Sequence, residues 1–122
     1  MYLINARLRA PEIEGHLAPA GGRMPARELR RLLLALAEPA DGIEHIYSED
    51  HPAGIHLGLF IRRRTLDEAE SVAARLCLRA LGRVSELAGW SLVACGTDLN
   101  LALGRLKAFE EEACQRPAIA AR

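Results

Sequence analysis

Between residues 55 and 62 aliphatic side chains recur at every second position: Ile55, Leu57, Leu59 and Ile61 alternate with His56, Gly58, Phe60 and Arg62. Successive side chains of a strand point to opposite faces, so this period of two puts four aliphatic groups on one side and a mixed set on the other. Such a segment belongs in the middle of a sheet with one face sealed by a core. The opposite face has to be solvated, covered or joined to a partner. The opening residues repeat the pattern, with Tyr2, Ile4, Ala6 and Leu8 on one parity and Leu3, Asn5, Arg7 and Arg9 on the other.

The intervening segments supply the cover. Leu29, Leu32, Leu33 and Leu36 form an i, i+3, i+4, i+7 stripe after Pro25, and Pro39 with Asp41-Gly42 stops the helix they predict. Thr65-Leu66-Asp67-Glu68 has the capping-box spacing and opens a second amphipathic helix through Ala69, Val72, Ala73, Leu76 and Ala80 to Gly82. Residues 43–48 and 90–95 read as short strands, and Glu49 to Gly54 as a turn joining the former to residues 55–62 in a hairpin. Pro11 to Gly22, which contains His16, reads as a loop. Thr97 or Asp98 caps an expected last helix carrying Leu99, Leu103, Leu106 and Phe109, and the tail from Gln115 is expected to fray. The predicted fold is therefore α+β and ferredoxin-like: a β-α-β-β-α-β four-stranded antiparallel sheet with an extra C-terminal helix. Residues 1–114 form one domain in this reading, and 115–122 a flexible tail.

Composition narrows the function classes. The 122 residues are 50% apolar and 26% charged, and 16 basic groups balance 16 acidic ones, which suits one globular domain and removes the usual electrostatic case for nucleic acid or an anionic membrane. The longest unbroken apolar run, Leu32 to Ala37, falls far short of the ~20 residues that span a bilayer. Met1 to Arg7 lacks the layout of a secretory signal, and Cys77, Cys95 and Cys114 are an odd set without a CxxC pair. A cytoplasmic location with reduced thiols is the expectation. No phosphate-binding glycine loop, dinucleotide fingerprint or serine-hydrolase elbow is present. RNA-binding domains of this topology stack bases on aromatics from both central strands. Here Tyr2 falls on the core parity and Phe60 alone is presented, so no nucleic acid is expected as partner.

The candidate site follows from the mixed parity. Asn5 and Arg7 from one central strand and His56, Phe60 and Arg62 from the other combine an amide, guanidiniums, an imidazole and a phenyl ring, a set suited to a partly apolar, anionic small molecule or peptide. Solvated cross-strand pairing of these arginines with acids is the structural alternative. His56, or His45 on the neighbouring strand, is the candidate proton carrier, because an imidazole titrates near neutrality. His45, His51 and His56 with Glu44, Glu49 and Asp50 crowd one hairpin, yet their spacing fits no compact metal signature. Neither a metal nor another cofactor is expected. Arg62-Arg63-Arg64 could clamp a phosphate or carboxylate, although pairing with Asp67, Glu68 or Glu70 is the plainer expectation.

Met1 to Pro11, Leu57-Gly58-Leu59-Phe60 and Leu87 to Val93 together resemble short, largely uncharacterised ferredoxin-like proteins of high-GC bacteria. That resemblance implies a place in specialised-metabolite biosynthesis and no particular catalytic residues. The architecture is also similar to that of dimeric α/β-barrel proteins, which include cofactor-independent monooxygenases and cyclases. The resulting expectation is a homodimeric accessory or binding protein. A cofactor-independent isomerase, cyclase or monooxygenase, or a structural dimer without ligand, is the alternative.

Overall fold

The computed structural model describes residues 1–13, 16–17 and 23–97. Four strands form one sheet: β1 (Tyr2–Arg9), β2 (Ile43–His51), β3 (Gly54–Ile61) and β4 (Ser91–Gly96). Two helices, α1 (Ala26–Leu36) and α2 (Leu66–Arg83), lie between them in the chain order β1-α1-β2-β3-α2-β4. The sheet order is β2-β3-β1-β4 and each pairing is antiparallel. An α+β architecture with two helices and a four-stranded antiparallel sheet is thus present. The last expected helix, the tail from Gln115 and Cys114 lie outside the described residues.

The two alternating segments are the central pair. Ile4 faces Leu59, Ala6 faces Leu57 and Leu8 faces Ile55 across the β1–β3 ladder, and all six are sealed from solvent. Leu29 and Leu33 of α1 and the Ala69, Val72, Ala73, Leu76, Cys77 and Ala80 row of α2 close over them. Burying each of these larger aliphatic side chains contributes about 1.5–3 kcal/mol, which offsets the entropy of ordering the chain around them. The small alanines of α2 let that helix approach β1 and β4 closely, while α1 lies over β2.

Both helix starts use the expected chemistry only in part. The Thr65 hydroxyl accepts from the Glu68 amide and caps α2. Pro25 gives α1 no side-chain cap, and the Asp50 carboxylate of β2 accepts from the Ala26 amide instead. Ser48 donates to the Ala26 carbonyl and Arg30 to the Ile46 carbonyl, so polar side chains link α1 to β2 at three points. After α1, the Asp41 carboxylate accepts from the Glu38 amide to close a short turn and pairs with Arg79 of α2 at 3.3 Å in a largely buried contact.

Three boundaries differ from the sequence reading. The strand expected to end at Ser48 runs to His51, because Asp50 on its inner side has the α1 amide to satisfy and its outer side tolerates polar groups. The turn is then only Pro52 and Ala53. Within the expected loop, Glu12–Ile13 and His16–Leu17 form a two-residue ladder.

Gly54 and Gly58 occupy the same strand in opposite circumstances. A Cβ at Gly54 would lie 1.9 Å from the Leu8 carbonyl oxygen, whereas one at Gly58 would lie 3.4 Å from the end of the Leu3 side chain. In thermal or urea unfolding, Gly54→Ala is expected to cost about 3 kcal/mol or more through displaced backbone, and Gly58→Ala to stay within about 1 kcal/mol of the parent. Equal losses at the two positions would contradict this packing.

Candidate functional site

Strand parity decides which side chains share the sheet face opposite the helices. β1 places Leu3, Asn5, Arg7 and Arg9 there, and β3 places His56, Gly58 and Phe60. Ile46 pairs with Leu59 and is buried, so the opposite parity of β2, His45, Tyr47 and Glu49, also lies on this face. The register sets Asn5 opposite Gly58, Arg7 and Glu49 on either side of His56, and Leu3 and His45 on either side of Phe60.

The face is graded along the strands. Toward its far end Leu3 and the Tyr47 ring lean over the gap left by Gly58, and the His45 and Phe60 rings stand 5.8 Å apart in a tilted contact. Toward the β2–β3 turn it is polar. His56 Nε2 lies 3.3 Å from Asn5 Oδ1, and His56 Nδ1 lies 3.9 Å from Glu49 Oε1, which accepts a 2.8 Å hydrogen bond from the Tyr47 hydroxyl. Asn5 and His56 are each only 8% exposed. Both belong to strands whose other side faces the core, so polar groups sit at the most enclosed place on this face, where they require partners.

That arrangement defines what the imidazole can do. A carboxylate beside Nδ1 favours a proton on that nitrogen, leaving Nε2 as an acceptor toward the Asn5 amide, whose NH2 can be turned to donate. An N–H at Nε2 donates its hydrogen bond to Asn5 Oδ1. Arg7, exposed beside His56 and without an ion pair among the described residues, offers planar donors to an anion.

The sequence-derived candidates thus separate into groups. Asn5, Arg7 and His56 come together. Phe60 is four residues from His56, about 13 Å along the strand, and lines the apolar end with His45. Arg62 is six residues from His56, about 20 Å, and pairs with Glu44 at 2.9 Å, as the structural alternative for the arginines expects. Glu49 and Tyr47 were not among the candidates. Carrying the alternation of β2 through His51 identifies them, since a two-residue turn then sets Glu49 against His56.

His51 closes β2 rather than lying within a turn. Its Nδ1 accepts from the Ala53 amide at 3.1 Å, and Arg23 donates to its carbonyl at 2.6 Å. Partial burial lowers its pKa from 6.5, the positive charge of Arg7 and Arg23 adds to that shift, and Glu49 opposes it. Among the described residues no three His, Cys, Asp or Glu side chains converge as a metal-binding group, and no helix is long and apolar enough to cross a membrane. Burial pushes the Cys77 thiol up to about 12 and that of Cys95 up to about 11, so neither supplies a thiolate near neutrality. No protein-family model, curated protein or solved structure matches the chain.

Two measurements test this electrostatic picture. In an NMR titration His51 is expected to have its midpoint below 6.5, and Arg7→Ala to move it back upward. The stabilising effect of its neutral ring is then complete above 6.5 and is lost as the pH falls through the folded-state midpoint. A midpoint at or above 6.5 contradicts the environment described. In a Cys114→Ser chain, iodoacetamide at pH 8 should alkylate Cys77 and Cys95 about 100-fold or more slowly than after unfolding, because each unit of raised pKa removes a factor of ten in thiolate.

Proposed function

We propose that this chain is a ferredoxin-like binding domain that holds a partly apolar, anionic small molecule or peptide segment on its open sheet face. In this reading it is a cytoplasmic homodimer, joined through that face or the sheet edges, and serves as an accessory protein in a biosynthetic pathway. The resemblance of its opening and later strands to short proteins of high-GC bacteria favours specialised metabolism. The supporting observation is the pairing of Asn5 with His56, both almost enclosed, beside an exposed Arg7. A face selected only for solubility needs no enclosed imidazole–amide pair at its centre, and a ligand with one apolar and one anionic end matches the grading from Phe60 to Arg7. The exposed Leu3, Tyr47 and Val93 side chains supply apolar area for a second subunit or for the ligand body.

The second reading is an enzyme of the dimeric α/β-barrel type, and the approach of Glu49 to His56 favours it. His56 then moves the proton, Asn5 orients the substrate and Arg7 holds its anionic group. His45 and Arg62 lie too far along the sheet to share that reacting centre.

Aryl carboxylates titrated into the 15N-labelled chain are expected to shift the amides of Asn5, Arg7, His56, Gly58 and Phe60 together. Arg7→Ala is expected to weaken binding about 5- to 10-fold, the loss of one charge-assisted contact. Shifts scattered away from this face, or none, would overturn the binding reading. Native mass spectrometry of freshly purified protein reads the subunit number and any retained ligand. Once a ligand is known, His56→Ala with binding retained and turnover lost supports the enzyme, and absent turnover in the parent chain excludes it.

A further inference from the structure

The sheet face opposite the helices is more enclosed at its centre than its flanking residues account for. Asn5 stands between Gly58 on β3 and Gly96 on β4, neither of which carries a side chain, yet it is only 8% exposed. The Leu3 side chain, its neighbour on the same face of β1, reaches over Gly58. His56 is equally enclosed, and Tyr47, Glu49 and His56 each engage a further partner. A polar pair in the middle of a solvated sheet face keeps its water, so enclosure there calls for a cover.

The chain leaves the sheet at the place where a cover is needed. β4 ends at Gly96 opposite Asn5, and because it runs antiparallel to β1 the chain is heading toward Leu3 and Phe60 as it leaves. The Glu70 carboxylate accepts from the Thr97 amide at 3.3 Å and holds this exit at the sheet edge. Residues 98–122 lie outside the described residues, and their sequence sets Leu99, Leu103, Leu106 and Phe109 on one side of a helical period. As a helix, residues 99–109 would be about 16 Å long. Four strands about 4.8 Å apart span about 14 Å, so such a helix reaches from the β4 edge to β2. The other side of the sheet is already sealed by α1 and α2.

We propose that residues 99–109 of this chain form an amphipathic helix that crosses the open sheet face from the β4 edge, its leucine side resting on Leu3, Tyr47 and Phe60 and its body covering Asn5 and His56. Leu3 and Tyr47, each nearly half exposed, give that helix apolar area to pack on. Tethered at Thr97, the segment meets this face at an effective concentration that a second copy in free solution does not reach. The face then becomes a slot roofed by its own chain and open at exposed Arg7, where an anionic group can still enter. The roof is a property of the chain without ligand, so it goes beyond the binding reading and does not depend on it.

The test is a nitroxide spin label at Ala108→Cys, on the side of the helical period away from the leucines, in the full-length Cys114→Ser chain without ligand. Cys77 and Cys95, whose thiols stay protonated near neutrality, leave the label to position 108. Amide signals of Asn5, Tyr47 and His56 are expected to be lost to paramagnetic broadening, while those of Leu34 and Leu78 on the outer helix surfaces remain. Adding Leu103→Asp and Leu106→Asp is expected to restore the lost signals, with the dispersed β1 and β3 amides showing that the sheet is still folded. Broadening of the Leu34 and Leu78 amides in place of the sheet face, or no broadening at all, would overturn the proposal. So would broadening that appears only when spin-labelled chains are mixed with unlabelled 15N chains, which would assign the cover to a second copy. Because no ligand is present, failure here leaves the binding reading standing, and failure of the aryl carboxylate titration leaves the roof standing.

Discussion

The antiparallel pairing of Tyr2–Arg9 with Gly54–Ile61 is the interaction on which everything else in this structure rests. It sets Ile4, Ala6 and Leu8 against Leu59, Leu57 and Ile55, so one side of the central ladder is continuous aliphatic surface that both helices must cover. The same register sets Arg7 against His56 and brings the Asn5 amide within reach of that imidazole. A slip of one residue would turn both sets over, burying the arginines and exposing the isoleucines. Gly54 locks the register at the turn end, where the Leu8 carbonyl comes too close for any side chain. Core and candidate site are thus two faces of one constraint.

β2 and α1 form the second level. As the edge strand among the described residues, β2 has a strand neighbour there on one side alone, and a long polar edge is the kind of segment that slips or pairs with another chain. Asp50, Ser48 and Arg30 answer this by linking its inner side to α1. With the inner parity held by those contacts, Tyr47 and Glu49 are forced outward beside His56. The Asp41–Arg79 pair joins the end of α1 to α2 and completes a helix layer whose ends are joined by polar contacts. What reads as helix docking therefore also sets the geometry around the imidazole.

Charge is distributed by the same logic. The chain sums to zero, yet its cations are not spread evenly among its anions. Glu28 and Arg31 pair on the surface of α1, Arg9 with Glu12 near the start of the chain, and Arg62 with Glu44 at the sheet edge. Such exposed pairs add little stability individually. Their consequence is to leave Arg7, which has no ion pair among the described residues, as a local positive feature on the sheet face of a neutral protein.

Most of the architecture was legible in the residues, because periodicity is a local property. The twofold alternation of residues 2–9 and 55–62, the leucine stripe of α1 and the Thr65 cap each declare an element and its inward side. By themselves these patterns determined an α+β chain with two central strands and a mixed outer face bearing Asn5, Arg7 and His56. The end of β2 was not legible, since Glu49-Asp50-His51-Pro52 has the composition of a turn, and only contact with the α1 amide of Ala26, 24 residues away, makes Asp50 a strand residue. Pairing partners for the arginine triplet were equally hidden, because Glu44 and the Ala40 carbonyl lie about 20 positions earlier and reach Arg62 and Arg63 only through the fold. Sequence, then, determined which face the side chains of the two central strands take. Tertiary structure alone decided which side chains meet there, because face depends on a period of two residues while contact depends on register and on docking between segments far apart in the chain.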